Sequence, residues 1–186
     1  LWDGLRTATT LDPYSLAPAA FFGDASLPQR WQDVLSAINH PDVPSIYGPV
    51  LQGLFALGHV IAPAELWPQK AVLVAADLLL LWLLAQHGVG ARWLLAYALH
   101  PLVLKEAMAS AHPDALLALL LLLTLTAWQR QRAIVVGVLL GVAIGTKVAA
   151  LVVLPLLLWA PAQQSSREPR DPLRWALSVA SACAAT

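Results

Sequence analysis

Two apolar runs in the second half of the sequence constrain the fold more than any other feature. Ala115 to Trp128 contains no charged residue, and Ala133 to Trp159 contains only Lys147. Runs with so few charges are typical of helices that lie in a lipid bilayer. The whole chain has 12% charged residues and a mean hydropathy of +0.66, whereas charged residues make up roughly a quarter of a soluble domain. The sequence therefore predicts an all-α membrane protein.

Charge and cysteine content exclude several classes of function. The formal net charge is zero, so the chain lacks the basic excess that would offset the phosphates of a nucleic acid. Cys183 is the single cysteine, which excludes an internal disulfide and a cysteine-based metal cluster. We expect no nucleic-acid partner.

Composition along the chain predicts three regions. Residues 1–47 carry five Asp against two Arg and several proline turn signals, which indicates a polar extracytoplasmic loop region. Residues 48–64 hold a short apolar segment that predicts an interfacial or re-entrant helix. Residues 65–186 form a transmembrane region of about five to six spans, the last of them truncated. The predicted fold class is a multi-span helical bundle.

The spans differ in how well a single helix fits them. The segments 70–86, 92–109 and 114–128 each approach the ~20 residues that a crossing helix needs. Residues 133–160 would measure about 42 Å as one helix, against about 30 Å of hydrocarbon. Gly141, Gly145 and Pro155 weaken that helix, and Lys147 is costly at bilayer depth. We predict two short segments that meet near Lys147, with one long tilted helix as the alternative.

Arginine positions predict the orientation. By the positive-inside rule, the connections that contain arginine face the cytoplasm. Alternation then places residues 105–114 and the turn at Lys147 outside, and the acidic loop 1–47 joins them if residues 47–62 do not cross. If that segment does cross, the loop faces the other side. The arginines are Arg92, Arg130, Arg132, Arg167, Arg170 and Arg174.

Ionisable residues at the membrane boundary allow two readings each. In one interpretation, His112-Pro113-Asp114 simply starts a helix. In the other, His112 and Asp114, with Glu106 nearby, form an acid/base pair at the membrane surface. Lys147 either extends its ammonium to the interface or binds an anionic phosphate. Asp77 is either a hydrogen-bonding residue between helices or a functional group.

The first loop contains a further polar group of residues. The stretch INHPDVPSIYGP at 38–49 holds His40, Asp42 and Tyr47 among three prolines, which restrict the backbone of a turn. The pattern fits a plain surface turn and a binding loop equally.

Five motifs in order resemble one family. They are LWDG at 1–4, DPYSLAP at 12–18, INHPDVPSIYGP at 38–49, HPLVLKEAMASAHPDAL at 100–116 and GVAIGTKVAALVVLPLLL at 141–158. Together they resemble bacterial integral-membrane glycosyltransferases of the C-type fold, in the mannosyltransferase branch that uses polyprenyl-phosphate sugars. The chain departs from the family where Tyr47-Gly48-Pro49 replaces Tyr-Pro-Pro, where His100 replaces Asn before Pro101, and where Ala111-His112-Pro113-Asp114 replaces Gly-His-Asn-Asp.

The resemblance implies a hexosyltransferase of the cytoplasmic membrane. It would transfer a mannose-like sugar from a polyprenyl-phosphate donor to a lipid or glycan acceptor at the outer face, in contact with membrane lipids. A carboxylate would act as base and Lys147 would stabilise the leaving phosphate. The expected substrate-binding residues are His112, Asp114, Lys147, Glu106, Tyr47, His40 and Asp42. No metal ligands are assigned, and a divalent metal remains open.

The ends of the sequence affect this expectation. The chain opens on LWDGLRT without Met and stops at SVASACAAT inside an apolar run, so we expect a fragment that is inactive alone. The main catalytic base would then lie upstream of Leu1, with Asp3 the nearest acid in the chain.

Two other functions compete with the enzyme. A transporter or flippase of lipid-linked intermediates would line its pathway with Asp77, Lys147 and His112, and a scaffold subunit would carry no chemistry. Transporters commonly contain internal repeats with broken helices at matching positions. The sequence has one broken segment and no evident repeat, which favours the enzyme, and a scaffold gives no reason for Lys147.

Overall fold

The computed structural model describes residues 1–105, 111–159 and 172–185. These residues form helices and no strands, which confirms the all-α class for the described part of the chain. Two compact units, Leu1–Val72 and Leu73–Thr186, divide it. The helices are α1 Trp2–Thr10, α2 Gln29–Ser36, α3 Pro49–Ile61, α4 Trp67–Gln86, α5 Ala91–Ala98, α6 Pro101–Val103, α7 Asp114–Gln129, α8 Ala133–Thr146, α9 Val153–Trp159 and α10 Pro172–Ala184, with 3-10 helices at Pro18–Phe21 and Val148–Val152.

Prolines mark where several helices begin. Pro49 is the first residue of α3, Pro101 is the first residue of α6, and Pro113 directly precedes α7. Proline suits the first turn because its fixed φ is helical and the amide hydrogen it lacks has no partner within the helix there. The predicted helix start at His112-Pro113-Asp114 is confirmed.

The first unit has a small aromatic core. Trp2, Trp31 and Leu35 are buried together, and the Trp2 ring lies 5.0 Å from the Phe21 ring between centroids. Residues 1–47, predicted as a polar loop region, thus contain two α-helices. The apolar residues that pack α2 are spaced four apart and are surrounded by polar ones. The average composition of the segment is therefore polar, and composition alone does not indicate the helix.

Two predicted spans coincide with helices. Helix α4 has 20 residues. Among the described residues, it is the one helix that is long and apolar enough to cross a membrane. It covers the predicted segment 70–86. Helix α7 spans Asp114–Gln129, within one residue of the predicted 114–128. That further helices cross the bilayer stays a prediction.

The segment 92–109, predicted as one span, is not a single helix in its described residues. Helix α5 ends at Ala98, and a separate short helix, α6, begins at Pro101. Proline restricts the residue before it to extended backbone, and His100 indeed has φ −66° and ψ 125°. The His100 Nδ1 accepts a hydrogen bond of 3.2 Å from the Leu102 amide, which caps the new helix. Residues 106–110 lie outside the described ranges.

The helix break predicted near Lys147 is confirmed. Helix α8 ends at Thr146, Lys147 is extended with φ −142° and ψ 124°, and a 3-10 helix follows. One long tilted helix over 133–160 is therefore wrong. Whether each half crosses the membrane stays a prediction.

Small residues let helices approach closely in the second unit. A Cβ on Gly137 of α8 would lie 2.6 Å from the Val179 carbonyl oxygen of α10, so only glycine permits this contact. Helix α8 also packs on α7. One buried cluster of this unit consists of Ala127, Val136, Leu140, Leu157 and Val179.

Two glycines of the first unit provide a matched test of its packing. A Cβ on Gly4 of α1 would overlap the Phe55 carbonyl of α3, whereas a Cβ on Gly53 would meet nothing within 4 Å. We expect Gly4→Ala to lower the unfolding free energy by about 1–3 kcal/mol through overpacking. Gly53→Ala should be neutral or stabilising by up to about 1 kcal/mol, because alanine favours helix. Thermal unfolding in detergent measures both, and equal melting temperatures would contradict the α1–α3 contact.

Candidate functional site

The sequence-predicted residues Lys147 and Asp114 form an ion pair. The Lys147 Nζ donates to the Asp114 Oδ1. Asp114 is the first residue of α7 and Lys147 directly follows α8. A carboxylate favours the positive start of a helix and an ammonium favours its negative end, so each helix dipole stabilises the charge beside it.

Exposure makes this ion pair available to a ligand. The Lys147 side chain is 34% exposed and the Asp114 side chain is 57% exposed. Ion pairs with this access to solvent contribute only about 0–1 kcal/mol to stability. An anionic group could therefore replace the carboxylate on Lys147 at little cost.

The other two residues predicted for this region are His112 and Glu106. His112 is exposed and lies just before α7, after Ala111 with a positive φ of 53°. Glu106 lies outside the described residues. No group of three His, Cys, Asp or Glu side chains within residues 1–105, 111–159 and 172–185 is arranged to hold a metal ion.

Asp3 lies in a hydrogen-bonded group of side chains that we call the Asp3 cluster, formed by Asp3, Thr7, Ser45 and Gln52. The Ser45 hydroxyl donates to the Asp3 Oδ2 at 2.5 Å, and the Gln52 Nε2 donates to the same oxygen at 3.3 Å. Gln52 Nε2 also donates to Ser45 Oγ at 2.5 Å, and Thr7 Oγ1 donates to Gln52 Oε1 at 2.9 Å. The carboxylate is held by neutral donors, which suit a charged acceptor.

Two tyrosines lie beside the Asp3 cluster. The Tyr47 amide donates to Ser45 Oγ at 3.4 Å, and its ring meets the Phe55 ring edge-on at 5.3 Å. The Tyr14 hydroxyl donates to the Tyr47 carbonyl at 2.9 Å. Burial, and then the negative charge of Asp3, raise the pKa of the Tyr14 hydroxyl. Tyr47, predicted from sequence, thus contacts the Asp3 cluster through its backbone amide.

His40 and Asp42 are not brought to this group. Both are exposed in a turn closed by a 3.3 Å hydrogen bond from the Val43 amide to the His40 carbonyl. Among the described residues, no hydrogen bond joins either side chain to the Asp3 cluster. That they bind substrate stays a prediction.

Sequence reasoning missed Thr7, Tyr14, Ser45 and Gln52 as members of the site. Gln52 gave a usable signal, since an amide in an otherwise apolar helix needs a hydrogen-bonding partner when buried. It is 3% exposed. Thr7 lies four residues after Asp3 and so on the same face of α1. Ser45 gave no signal, because serine is ordinary in a proline-rich turn.

Asp77 has a structural partner. Its side chain is 4% exposed in α4, and its Oδ1 accepts a hydrogen bond of 2.7 Å from the Tyr97 hydroxyl of α5. This favours the interpretation of Asp77 as a hydrogen-bonding residue between helices.

Removal of that partner should be costly. Tyr97→Phe leaves the buried Asp77 carboxyl without its donor, and we expect the unfolding free energy to fall by about 1–3 kcal/mol. Asp77→Leu combined with Tyr97→Phe removes both partners and should recover part of this loss. Thermal unfolding in detergent measures both variants. An unchanged melting temperature for Tyr97→Phe would show that the hydrogen bond does not stabilise the fold.

Comparison with known proteins adds the family. The chain matches the family described as Alpha-(1->6)-mannopyranosyltransferase, N-terminal domain, over residues 1–163. Comparisons with curated proteins and with solved structures found no match. The chain belongs to this mannosyltransferase family, so it is a glycosyltransferase and mannose is the sugar of the family. The predicted mannosyltransferase class is confirmed, and the transporter and scaffold alternatives have no such support.

Proposed function

We propose that this mannosyltransferase takes its sugar from a polyprenyl-phosphate donor and transfers it to a lipid or glycan acceptor at the outer face of the cytoplasmic membrane. The family match supports the reaction class. Lys147, an accessible ammonium within an apolar stretch, is the observation that supports the donor class. An ammonium in such surroundings needs an anionic partner. Asp114 fills that place only in an exposed ion pair, so a lipid phosphate can replace it.

The role of Lys147 follows from the chemistry of the leaving group. When the bond between the anomeric carbon and the phosphate oxygen breaks, the electron pair remains on the phosphate. A positioned cation stabilises that developing charge, and most strongly where water is scarce. Asp114 holds the ammonium until the donor phosphate replaces it. Because a phosphate leaves without a proton, the reaction needs no general acid on this side.

The acceptor hydroxyl needs a base, and Asp3 is our proposal for a carboxylate that contacts it. Ser45 and Gln52, the two donors that contact Asp3, both reach Oδ2, and within the described part of the chain no donor reaches Oδ1. That oxygen can accept the hydroxyl hydrogen as the acceptor oxygen bonds to the anomeric carbon. The proton passes to the carboxylate, and the sugar configuration inverts. Tyr47, His112 and Glu106 are proposed to contact sugar or phosphate, as are His40 and Asp42.

The membrane location rests on the apolar helices. Helix α4 has the length and composition to cross a bilayer, and we propose that the shorter apolar helices α7 and α8 cross or enter it as well. The turn that joins them carries Arg130 and Arg132, which favours a cytoplasmic position. The ion pair of Asp114 and Lys147 would then face outside, where lipid-linked donors present their sugar.

Substitution of the ion pair tests the donor. In the purified transferase reconstituted with polyprenyl-phosphate mannose, we expect Lys147→Ala to lower turnover at least about 100-fold, as loss of a transition-state charge contact does. Asp114→Asn should lower turnover less, because the donor phosphate replaces Asp114 on the ammonium before the bond breaks. Lys70→Ala removes a partly buried lysine of the first unit and is the matched control. Membrane insertion should be normal in all three. Unchanged turnover in Lys147→Ala, or equal transfer from a nucleotide-linked mannose, would contradict the proposed donor.

Accessibility of single cysteines tests the topology. In a Cys183→Ala background, Gln129→Cys reports the Arg130 turn and Val148→Cys reports the Lys147 break. Both native side chains are exposed. In sealed membranes of known orientation, a membrane-impermeant thiol reagent should label Val148→Cys from outside and Gln129→Cys only from the cytoplasmic side. Labelling of both from the same side would contradict the proposed arrangement.

A further inference from the structure

Gln52 makes more side-chain hydrogen bonds than a residue that only fills space in the core would require. It lies in α3, is 3% exposed, and contacts three polar side chains at once. We propose that Gln52 is a positioning residue of the transfer reaction, which acts through Ser45 and Asp3 to leave the Asp3 Oδ1 open to the acceptor hydroxyl. This inference rests on the proposed role of Asp3.

The chemistry of the partners fixes the orientation of the Gln52 amide. A carboxylate only accepts hydrogen bonds, so the group near Asp3 Oδ2 must be the Nε2. The Oε1 then accepts from Thr7, which lies one helical turn beyond Asp3 on α1. An amide satisfies both ends in one residue. A carboxylate of the same shape could keep the Thr7 contact but would place a second negative charge against Asp3.

Helix packing sets the reach of this contact. Gly4 follows Asp3, and a Cβ there would overlap the Phe55 carbonyl. Phe55 lies three residues after Gln52, on the same face of α3. The close approach of the two helices at Gly4 therefore holds Gln52 within 3.3 Å of Asp3. Ser45 reaches the same oxygen from the segment that precedes α3.

Two donors on one oxygen define a direction for the carboxylate. With Ser45 and Gln52 both on Oδ2, rotation of the carboxyl group would break two hydrogen bonds. Loss of one donor leaves a carboxylate that still carries its charge but samples more orientations. Misplacement of a catalytic group by about an ångström can reduce the rate about 100-fold, and the effect appears in kcat when substrate binding is unchanged.

The test compares two buried glutamines of the first unit. Gln52→Met keeps the size of the side chain and removes its donor, and Gln69→Met does the same for a glutamine that is 4% exposed and lies against Gly58. In the reconstituted transferase with polyprenyl-phosphate mannose, we expect Gln52→Met to lower kcat about 10- to 100-fold with the donor KM within about twofold. The kcat of Gln52→Glu should fall at least as far, because its carboxylate would lie against that of Asp3. Gln69→Met should retain kcat.

Ser45 provides a second route that does not depend on a buried substitution. Ser45→Ala removes a half-buried hydroxyl and should lower kcat, whereas Ser45→Thr keeps the hydroxyl and should retain it. Because both donors act on one oxygen, the loss in the double variant of Gln52→Met and Ser45→Ala should be smaller than the product of the single losses.

The outcomes separate this inference from the proposed function. If Asp3→Asn retains full turnover, the proposed role of Asp3 is wrong. If Asp3→Asn is inactive while Gln52→Met matches Gln69→Met, or while the two single losses multiply, the positioning role of Gln52 is wrong and that of Asp3 stands. The positioning role of Gln52 would also be wrong if the fall in kcat among the variants simply followed the fall in their melting temperature.

Discussion

A polar group inside an apolar helix costs several kcal/mol unless another polar group meets it. Three polar side chains in or directly after the apolar helices follow this constraint. Asp77 meets Tyr97, Gln52 meets Asp3, Thr7 and Ser45, and Lys147 meets Asp114. These contacts join α3 to α1, α5 to α4, and the residue after α8 to the start of α7.

Two of these contacts differ from the third in accessibility. Asp77 and Gln52 are buried, at 4% and 3% exposure. Lys147 and Asp114 remain open to solvent at 34% and 57%. A buried contact rigidifies its neighbourhood, whereas an open ion pair of small net stability can exchange one partner for a ligand. Exposure therefore distinguishes the ion pair from the two buried contacts, a difference that charge and position in the sequence do not reveal.

Much of the local structure could be predicted from the sequence. Pro113, Asp114 and Lys147 act through backbone and dipole effects that extend over a few residues, and the helix start and the helix break were both predicted correctly. The interruption at Pro101 is also a local backbone effect. It was missed because the prediction for 92–109 rested on apolar composition alone. The Asp3 cluster could not be predicted, because Ser45 and Gln52 reach Asp3 across 42 and 49 residues of sequence. Such contacts depend on how α1 and α3 pack, and no local sequence pattern of either helix determines that packing.

The partnership of Lys147 with Asp114 follows from helix lengths. The turn at Arg130 to Arg132 joins α7 and α8, which pack against each other as a hairpin. Helix α7 has 16 residues and α8 has 14, so they measure about 24 Å and about 21 Å. With lengths so similar, the first residue of α7 returns to the level of the residue that ends α8, 33 positions later. The arginines lie at the closed end of the hairpin and the ion pair at its open end. A longer α8 would carry Lys147 past Asp114, so the helix break at Lys147 also determines where the charge is available.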